Sequence, residues 1–107
     1  MKKKYNEKYW QDRCDEIMDN FDFDKVHECM TKLNWKWVNN KSNTVRIPDK
    51  SEIREEARRL LKECIDRNHI KNSSCWMVSC GGFKAQIDLN EGWLILEFIV
   101  ADWESFI

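Results

Sequence analysis

The spacing of apolar residues changes partway along the chain, and this change restricts the fold more than any other feature. Up to about residue 68, apolar side chains recur every three or four positions, which places them on one side of an α-helix. From Phe83 they alternate with polar side chains, which is the period of a β-strand buried on one face. We therefore expect an α+β fold, with three N-terminal helices followed by a C-terminal antiparallel β-hairpin or three-stranded meander.

Capping residues mark where the predicted helices begin. The first helix spans residues 5–20, and Asp22 is suited to be the N-cap of the second, which follows almost at once. The third is predicted from the capping-box spacing of Asp49 and Glu52, and it ends near Asn68. The first prediction rests on an apolar stripe alone, and the other two rest on a polar cap followed by an apolar stripe.

Residues 83–89 and 93–103 are predicted to be strands, joined by a short turn at residues 90–92. If the sheet is a meander, residues 76–78 add a third strand. By contrast, residues 34–48 are rich in asparagine and contain the only proline of the chain, so they are predicted to form a loop. The sheet is thus expected in the C-terminal part of the chain alone.

The last predicted strand is apolar on both faces, unlike a strand that packs helices on one side only. Its second face must therefore be covered by the first helix, by the loop around Trp35 or by another chain. We expect self-association into a homodimer through Trp93, Ile99 and Trp103.

The length and composition indicate a single globular domain over residues 1–107. No apolar stretch approaches the roughly 20 residues of a membrane span. The lysines at the N-terminus are followed by a polar segment and not by the apolar core of a signal peptide. Five cysteines, an odd number, fit reduced thiols better than a disulfide framework. We expect a cytoplasmic protein with no membrane partner.

Cysteine and histidine side chains offer two kinds of chemistry, metal binding and nucleophilic catalysis. Cys64, His69, Cys75 and Cys80 are residue types that bind zinc, but no two cysteines have the C-x2-C spacing of a zinc knuckle. Buried structural thiols are the favoured interpretation, with a zinc site as the alternative. Cys80 with His27 or His69 would supply a nucleophile and a base, yet no family signature surrounds them. We expect no metal, no other cofactor and no enzymatic activity.

The first helix carries a row of carboxylates opposite its apolar stripe. The net charge of −1 implies no general attraction to nucleic acid or membranes, so local charge matters more. Four acidic residues fall within about 100° of arc and form what we call the acidic ridge, with Tyr9 at its edge: Asp12, Asp15, Glu16 and Asp19. Such a ridge can bind a basic groove that normally holds phosphates, although a solvated outer face is the simpler interpretation.

The third helix carries a shorter row of opposite charge, the basic flank, formed by Arg54, Arg58 and Lys62. This row makes nucleic-acid binding the alternative function. Proteins that bind nucleic acid usually carry a longer basic row, with exposed aromatic residues between the basic ones. Because the row is three side chains long, a solvated helix face with intrahelical ion pairs is favoured.

Four short segments of the chain resemble a type of short protein encoded in bacteriophage and prophage genomes. They are Leu-Asn-Trp-Lys-Trp at 33–37, Ile-Pro-Asp at 47–49, the helical stretch 52–61 and Gly-Gly-Phe-Lys-Ala at 81–85. The resemblance covers roughly residues 21–104 and leaves out the acidic ridge. It implies a phage origin and carries over no catalytic residues. Small phage proteins often bind host machinery, including CRISPR nucleases and other defence complexes.

These observations lead to one leading hypothesis and one alternative. The leading hypothesis is a non-enzymatic accessory protein that binds and inhibits a host protein in the bacterial cytoplasm, such as a CRISPR effector or another nucleic-acid-handling defence protein. Tyr9 and the acidic ridge would bind the partner, and the partner would present a basic nucleic-acid-binding surface. The alternative is a small nucleic-acid-binding regulatory protein that uses the basic flank.

Overall fold

Three helices pack on one face of a three-stranded sheet, and a separate two-stranded hairpin follows the second helix. The computed structural model describes residues 5–39, 42–71, 75–77 and 82–98. In chain order the elements are α1 (Glu7–Asn20), α2 (Phe23–Lys32), β1 (Trp37–Asn39), β2 (Thr44–Arg46), α3 (Lys50–Lys71), β3 (Cys75–Met77), β4 (Phe83–Asp88) and β5 (Trp93–Phe98). The fold is α+β, as the sequence predicts.

The helices do not all precede the strands, so this part of the prediction is wrong. β1 and β2 form an antiparallel hairpin between α2 and α3, within the segment predicted to be a loop. Asn43 adopts a left-handed backbone with φ 54°, which favours chain reversal here. Val38 pairs with Val45 and both are exposed. The hairpin therefore lacks the alternation of buried and exposed residues by which strands are recognised in a sequence.

The C-terminal sheet is a three-stranded antiparallel meander, which is one of the two predicted alternatives. Phe83, Ala85 and Ile87 of β4 are fully buried, which confirms the predicted alternation along this strand. The residues that pair with them on β5 are buried as well, so both strands present an apolar face to the helices. The predicted last strand is longer than β5, and its residues 99–103 lie outside the described residues.

α3 occupies the centre of the core and continues one turn beyond its predicted end. It contacts α1, α2, β3 and β4. The residues of its apolar stripe have no exposed surface: Ile53, Ala57, Leu60, Leu61 and Cys64. The rings of Phe23 and Phe83, with centroids 6.4 Å apart, connect α2 to the sheet in an edge-on arrangement. Every helix therefore reaches the sheet through this shared core.

The predicted N-caps of α2 and α3 are confirmed. Asp22 Oδ1 accepts a hydrogen bond from the backbone N–H of Lys25 at 3.0 Å. At the start of α3, the Glu52 N–H donates to Asp49 Oδ1 at 2.9 Å, and the Asp49 N–H donates to Glu52 Oε1 at 3.0 Å. This reciprocal capping box satisfies two backbone donors that the helix itself leaves unpaired.

Glu52 also connects α3 to the hairpin. Both of its carboxylate oxygens accept hydrogen bonds from the guanidinium of Arg46 on β2, and the Nη1–Oε1 distance is 2.6 Å. The hydrogen bonds from Arg46, followed by the backbone hydrogen bond of Asp49, lower the pKa of Glu52 to about 2. Two-point contacts of this kind are strong among charged hydrogen bonds. The charge of one carboxylate therefore holds the hairpin against the start of α3.

The start of α1 packs tightly on the turn between β4 and β5. Gly92 adopts φ +78°, and a Cβ at this position would lie 2.7 Å from the Tyr5 hydroxyl oxygen and overlap the ring. The Tyr9 hydroxyl donates a hydrogen bond to the Gly92 carbonyl. Within the turn, Asp88 Oδ1 accepts a hydrogen bond from the Glu91 N–H at 3.0 Å. This corner fixes the position of α1 relative to the sheet.

Replacing Gly92 with alanine should destabilise the fold. The left-handed backbone and the overlap with Tyr5 together should lower the free energy of unfolding by about 2 to 4 kcal/mol. Urea denaturation followed by tryptophan fluorescence measures this loss. Asn90→Ala, an exposed position in the same turn, is the control and should change the value by less than about 0.5 kcal/mol. An alanine variant as stable as the wild type would contradict the tight contact.

Glu52→Gln should weaken the fold in a pH-dependent way, because glutamine can keep the capping box but not the ion pair. At neutral pH the variant should lose about 0.5 to 1 kcal/mol of unfolding free energy, as is usual for a partly exposed pair. The pKa of Glu52 falls from 4.5 to about 2 on folding, so its contribution is complete above pH 4.5 and disappears as the pH drops toward 2. Urea titrations at several pH values should show the two proteins converging over this range. If the difference in unfolding free energy between the two proteins stays constant over this pH range, the Glu52–Arg46 ion pair is not the source of the lost stability.

Candidate protein-binding surface

The buried stripe of α1 determines which way the acidic ridge faces. Trp10, Cys14 and Met18 are 1 to 2% exposed and belong to the core. Because the ridge lies on the opposite side of the same helix, its carboxylates project away from the core. The side chains of Asp12 and Asp15 are 54% and 51% exposed. The structure thus brings the four predicted carboxylates together on one open helix face.

Three of the four ridge carboxylates already have a cationic neighbour. Lys8 Nζ lies 3.0 Å from Asp12 Oδ2, and Arg13 pairs with Glu16. Both pairs are within α1 and are largely exposed to solvent. Asp19 forms no ion pair with any residue that the structure describes. The ridge is therefore an alternating charged surface with one free carboxylate at its C-terminal end.

The third pair connects the acidic ridge to the basic flank. Arg58 Nη1 of α3 lies 3.4 Å from Asp15 Oδ1 of α1. The sequence places these residues on separate helices and predicts them for alternative functions. Periodicity cannot show that they meet, because it gives the faces of a helix and not the neighbours of those faces. The two predicted surfaces are in fact continuous.

Tyr9, predicted at the edge of the ridge, is half-buried, and both its ring and its hydroxyl contact other residues of the chain. Besides its hydrogen bond to Gly92, its ring centroid lies 4.4 Å from that of Tyr5 and 5.1 Å from that of Trp10. The guanidinium carbon of Arg13 is 5.6 Å from the centre of the Tyr9 ring. The tyrosine therefore supports the position of α1, and its hydroxyl already donates a hydrogen bond.

The remaining members of the basic flank have different surroundings. The guanidinium carbon of Arg54 lies 5.2 Å from the centre of the Phe23 ring, a cation–π contact with the core edge. Lys62 is exposed at the margin of a groove of about 530 Å³ between α3 and the hairpin. The groove is lined by one aromatic ring and by side chains of both charges. They include Trp37, Glu55, Glu56, Arg58 and Arg59. The mixed charge does not favour a phosphate backbone.

A second groove, of about 810 Å³, separates α1 from α3. Its lining includes Trp10, Cys14, Ile65 and His69. The indole N–H of Trp10 is buried and has no acceptor among the described residues. The imidazole of His69 faces the Trp10 ring with centroids 6.1 Å apart, and its Nδ1 lies 2.8 Å from the carbonyl oxygen of Ile65.

Cys14, Cys29 and Cys64 are buried thiols. Burial, reinforced by the neighbouring Asp15 carboxylate, raises the pKa of Cys14 to about 11, and burial also raises the pKa of Cys29. Cys64 lies beside Asn68, whose side-chain amide donates to the Cys64 carbonyl at 2.7 Å. The described residues contain no group of three or more potential metal ligands. Cys80 and the side chain of Cys75 lie outside the described residues.

The outer face of the sheet is open at β5. The helices pack against the inner face, and Trp35 also contacts the inner side, with its ring centroid 6.3 Å from that of Phe98. On the outer face Trp93 is 40% and Ile95 is 41% exposed. Of the three residues predicted for self-association, Trp93 thus lies on the open face, whereas Ile99 and Trp103 are outside the described residues.

Two further findings bear on function. No helix in the described parts of the chain is long and apolar enough to cross a membrane. Comparison with known protein families, with curated proteins and with solved structures finds no match to this chain. The functional assignment therefore depends on the exposed surfaces of the molecule itself.

Cys14 should resist alkylation in the folded protein. Its thiol is buried, and its raised pKa leaves little thiolate below pH 9. Iodoacetamide treatment at pH 8, followed by peptide mass spectrometry, should leave Cys14 unmodified. The same treatment in concentrated urea is the control and should modify it completely. Rapid modification of the native protein would contradict the buried site.

Proposed function

We propose that this protein is an accessory protein of a phage or prophage that binds and inhibits a host protein without catalysing a reaction. The partner is a protein of the bacterial cytoplasm that handles nucleic acid, such as a CRISPR effector or another defence protein. The observation that carries the proposal is the exposed row of carboxylates on α1, held outward by the buried stripe beneath it. The resemblance to short phage proteins adds support from the sequence.

The ridge is suited to exchange its present ion pairs for those of a partner. Exposed pairs such as Lys8–Asp12 contribute about 0 to 1 kcal/mol, because water screens them and two side chains lose freedom. A partner groove lined with arginine or lysine offers carboxylates contacts with less water. Replacing the internal pairs therefore costs little, and the complementary charges speed association and select a basic partner.

The rigid attachment of α1 also supports this function. A binding surface that is already ordered loses less conformational entropy when it meets its partner. The contacts of Tyr5 and Tyr9 with the turn at Gly92 secure one end of α1, and the buried apolar stripe of the same helix holds its middle against the core. The ridge carboxylates consequently keep a fixed spacing along one helix face.

Reversing the charge of the ridge should abolish partner binding. The test variant carries Asp12→Lys, Glu16→Lys and Asp19→Lys, and circular dichroism should show that its helix content is unchanged. Affinity purification from host lysate with quantitative mass spectrometry should recover a basic nucleic-acid-handling protein with the wild type and at least tenfold less with the variant. The wild type should also inhibit the activity of that protein on nucleic acid in a purified system.

A control variant separates the ridge from net charge. It carries the same change in charge on other exposed positions, Glu55→Lys, Asp66→Lys and Glu91→Lys, and should bind and inhibit as the wild type does. If the ridge variant inhibits as well as the wild type, the ridge is a solvated face and the proposal fails. If both variants lose binding equally, the effect is one of overall charge and the ridge is not the binding site.

A further inference from the structure

β5 forms one edge of the three-stranded sheet. The strand order is β3, β4, β5, so β4 pairs with one side of β5, and no described strand pairs with the other. β5 is also the longest edge strand of the described structure, since β1, β2 and β3 have three residues each and β5 has six. An unpaired edge presents backbone N–H and C=O groups that can pair with another strand.

On the outer face, the apolar residues of β5 lie beside polar residues of β4. On β5 the outward side chains are Trp93, Ile95 and Glu97, and two of these are apolar. Their partners on β4 are all polar: Asp88, Gln86 and Lys84. A partner stacked face to face would bury these polar groups, whereas a strand added beside β5 would cover the apolar ones. The geometry therefore favours edge-to-edge pairing.

β5 lacks the features that usually block such pairing. Edge strands are often protected by lysine, by proline or by a bulge. The only charged residue of β5 is Glu97, and the strand contains neither lysine nor proline. Its pairing with β4 runs without interruption from Trp93 to Phe98. The edge is consequently regular and carries one charge.

We propose that β5 pairs antiparallel with β5 of a second copy of this chain, with Ile95 opposite Ile95 of that copy. A two-fold axis at this position keeps inward residues opposite inward ones, so that Leu94 meets Leu96 of the second copy. Trp93 then lies opposite Glu97, which keeps the two glutamates apart. A shift of two residues toward the C-terminus would place Ile95 opposite Glu97. A shift of two toward the N-terminus would place Ile95 opposite Trp93 but leave only residues 93–95 of each strand paired, whereas the register centred on Ile95 pairs residues 93–97.

The dimer is a weak one. Pairing residues 93–97 of two copies buries far less than the roughly 1,200 Å² at which stable interfaces begin. The expected dissociation constant is therefore micromolar or weaker. The proposal is independent of partner binding through the acidic ridge, because it involves a different element and a different side of the molecule.

A charge-swap experiment tests the proposed register. Because residue 95 faces itself across the axis, Ile95→Lys and Ile95→Glu should each abolish the dimer by placing like charges together. An equimolar mixture of the two variants should restore it, since lysine then faces glutamate. Sedimentation velocity from micromolar to millimolar concentration measures the three samples beside the wild type.

Two further variants complete the test. Val38→Lys replaces an apolar residue that is 63% exposed on β1, and it should leave the dimer unchanged. Ile95→Thr retains the β-branched shape and is used if a charged variant unfolds; it should weaken dimerisation by roughly tenfold. A wild type that is monomeric at millimolar concentration, a dimer that survives Ile95→Lys, or a mixture that stays monomeric would each overturn the proposal.

Discussion

Burial of the apolar stripe of α3 is the interaction on which the other elements depend. Its five stripe residues, from Ile53 to Cys64, are completely enclosed. No single neighbour covers them, because α1, α2 and the sheet each contact α3 from a different direction. Removing any one of these layers would return apolar surface to water at about 25 cal/mol per Å². The positions of the acidic ridge and of the open sheet edge therefore both follow from how α3 is packed.

Sequence patterns predict an element correctly where its capping residues are close together in the chain or where one of its faces is fully buried. The capping box of Asp49 and Glu52 is visible in the sequence because its partners are three residues apart, and the structure confirms both hydrogen bonds. The alternation along β4 is visible because one of its faces is fully buried. The β1–β2 hairpin is missed because Val38 and Val45 are both exposed and β2 is exposed along its whole length, so of its described side chains only Trp37 packs against the core and no alternation of buried and exposed residues marks the strands.

The candidate site shows the same division between local and long-range information. A helical wheel is enough to place Asp12, Asp15, Glu16 and Asp19 on one face, since it requires only the period of the helix. The pairing of Asp15 with Arg58 depends on how α1 lies on α3 and is not encoded in either helix alone. The same applies to Tyr9, whose partner Gly92 is 83 residues away along the chain. Contacts between distant elements are thus the part that the sequence pattern does not contain.

The acidic ridge and the edge of β5 are physically separate and differ in character. The ridge lies on the side of α1 that points away from the core, and α1 packs on the inner face of the sheet. The apolar residues of β5 point outward from the opposite face. Pairing of two copies through β5 would therefore leave both ridges accessible on one assembly.

Such an arrangement has a consequence for binding strength. Two ridges held at a fixed separation can engage a partner that has two basic grooves, or two partners at once, and the second contact then forms at a raised effective concentration. A dimer that is weak by itself would be stabilised by a two-site partner, because the partner binds the paired state more tightly than the single copy. In such an assembly the charge on α1 would supply the recognition, and the largely apolar edge of β5 would set how many copies act together.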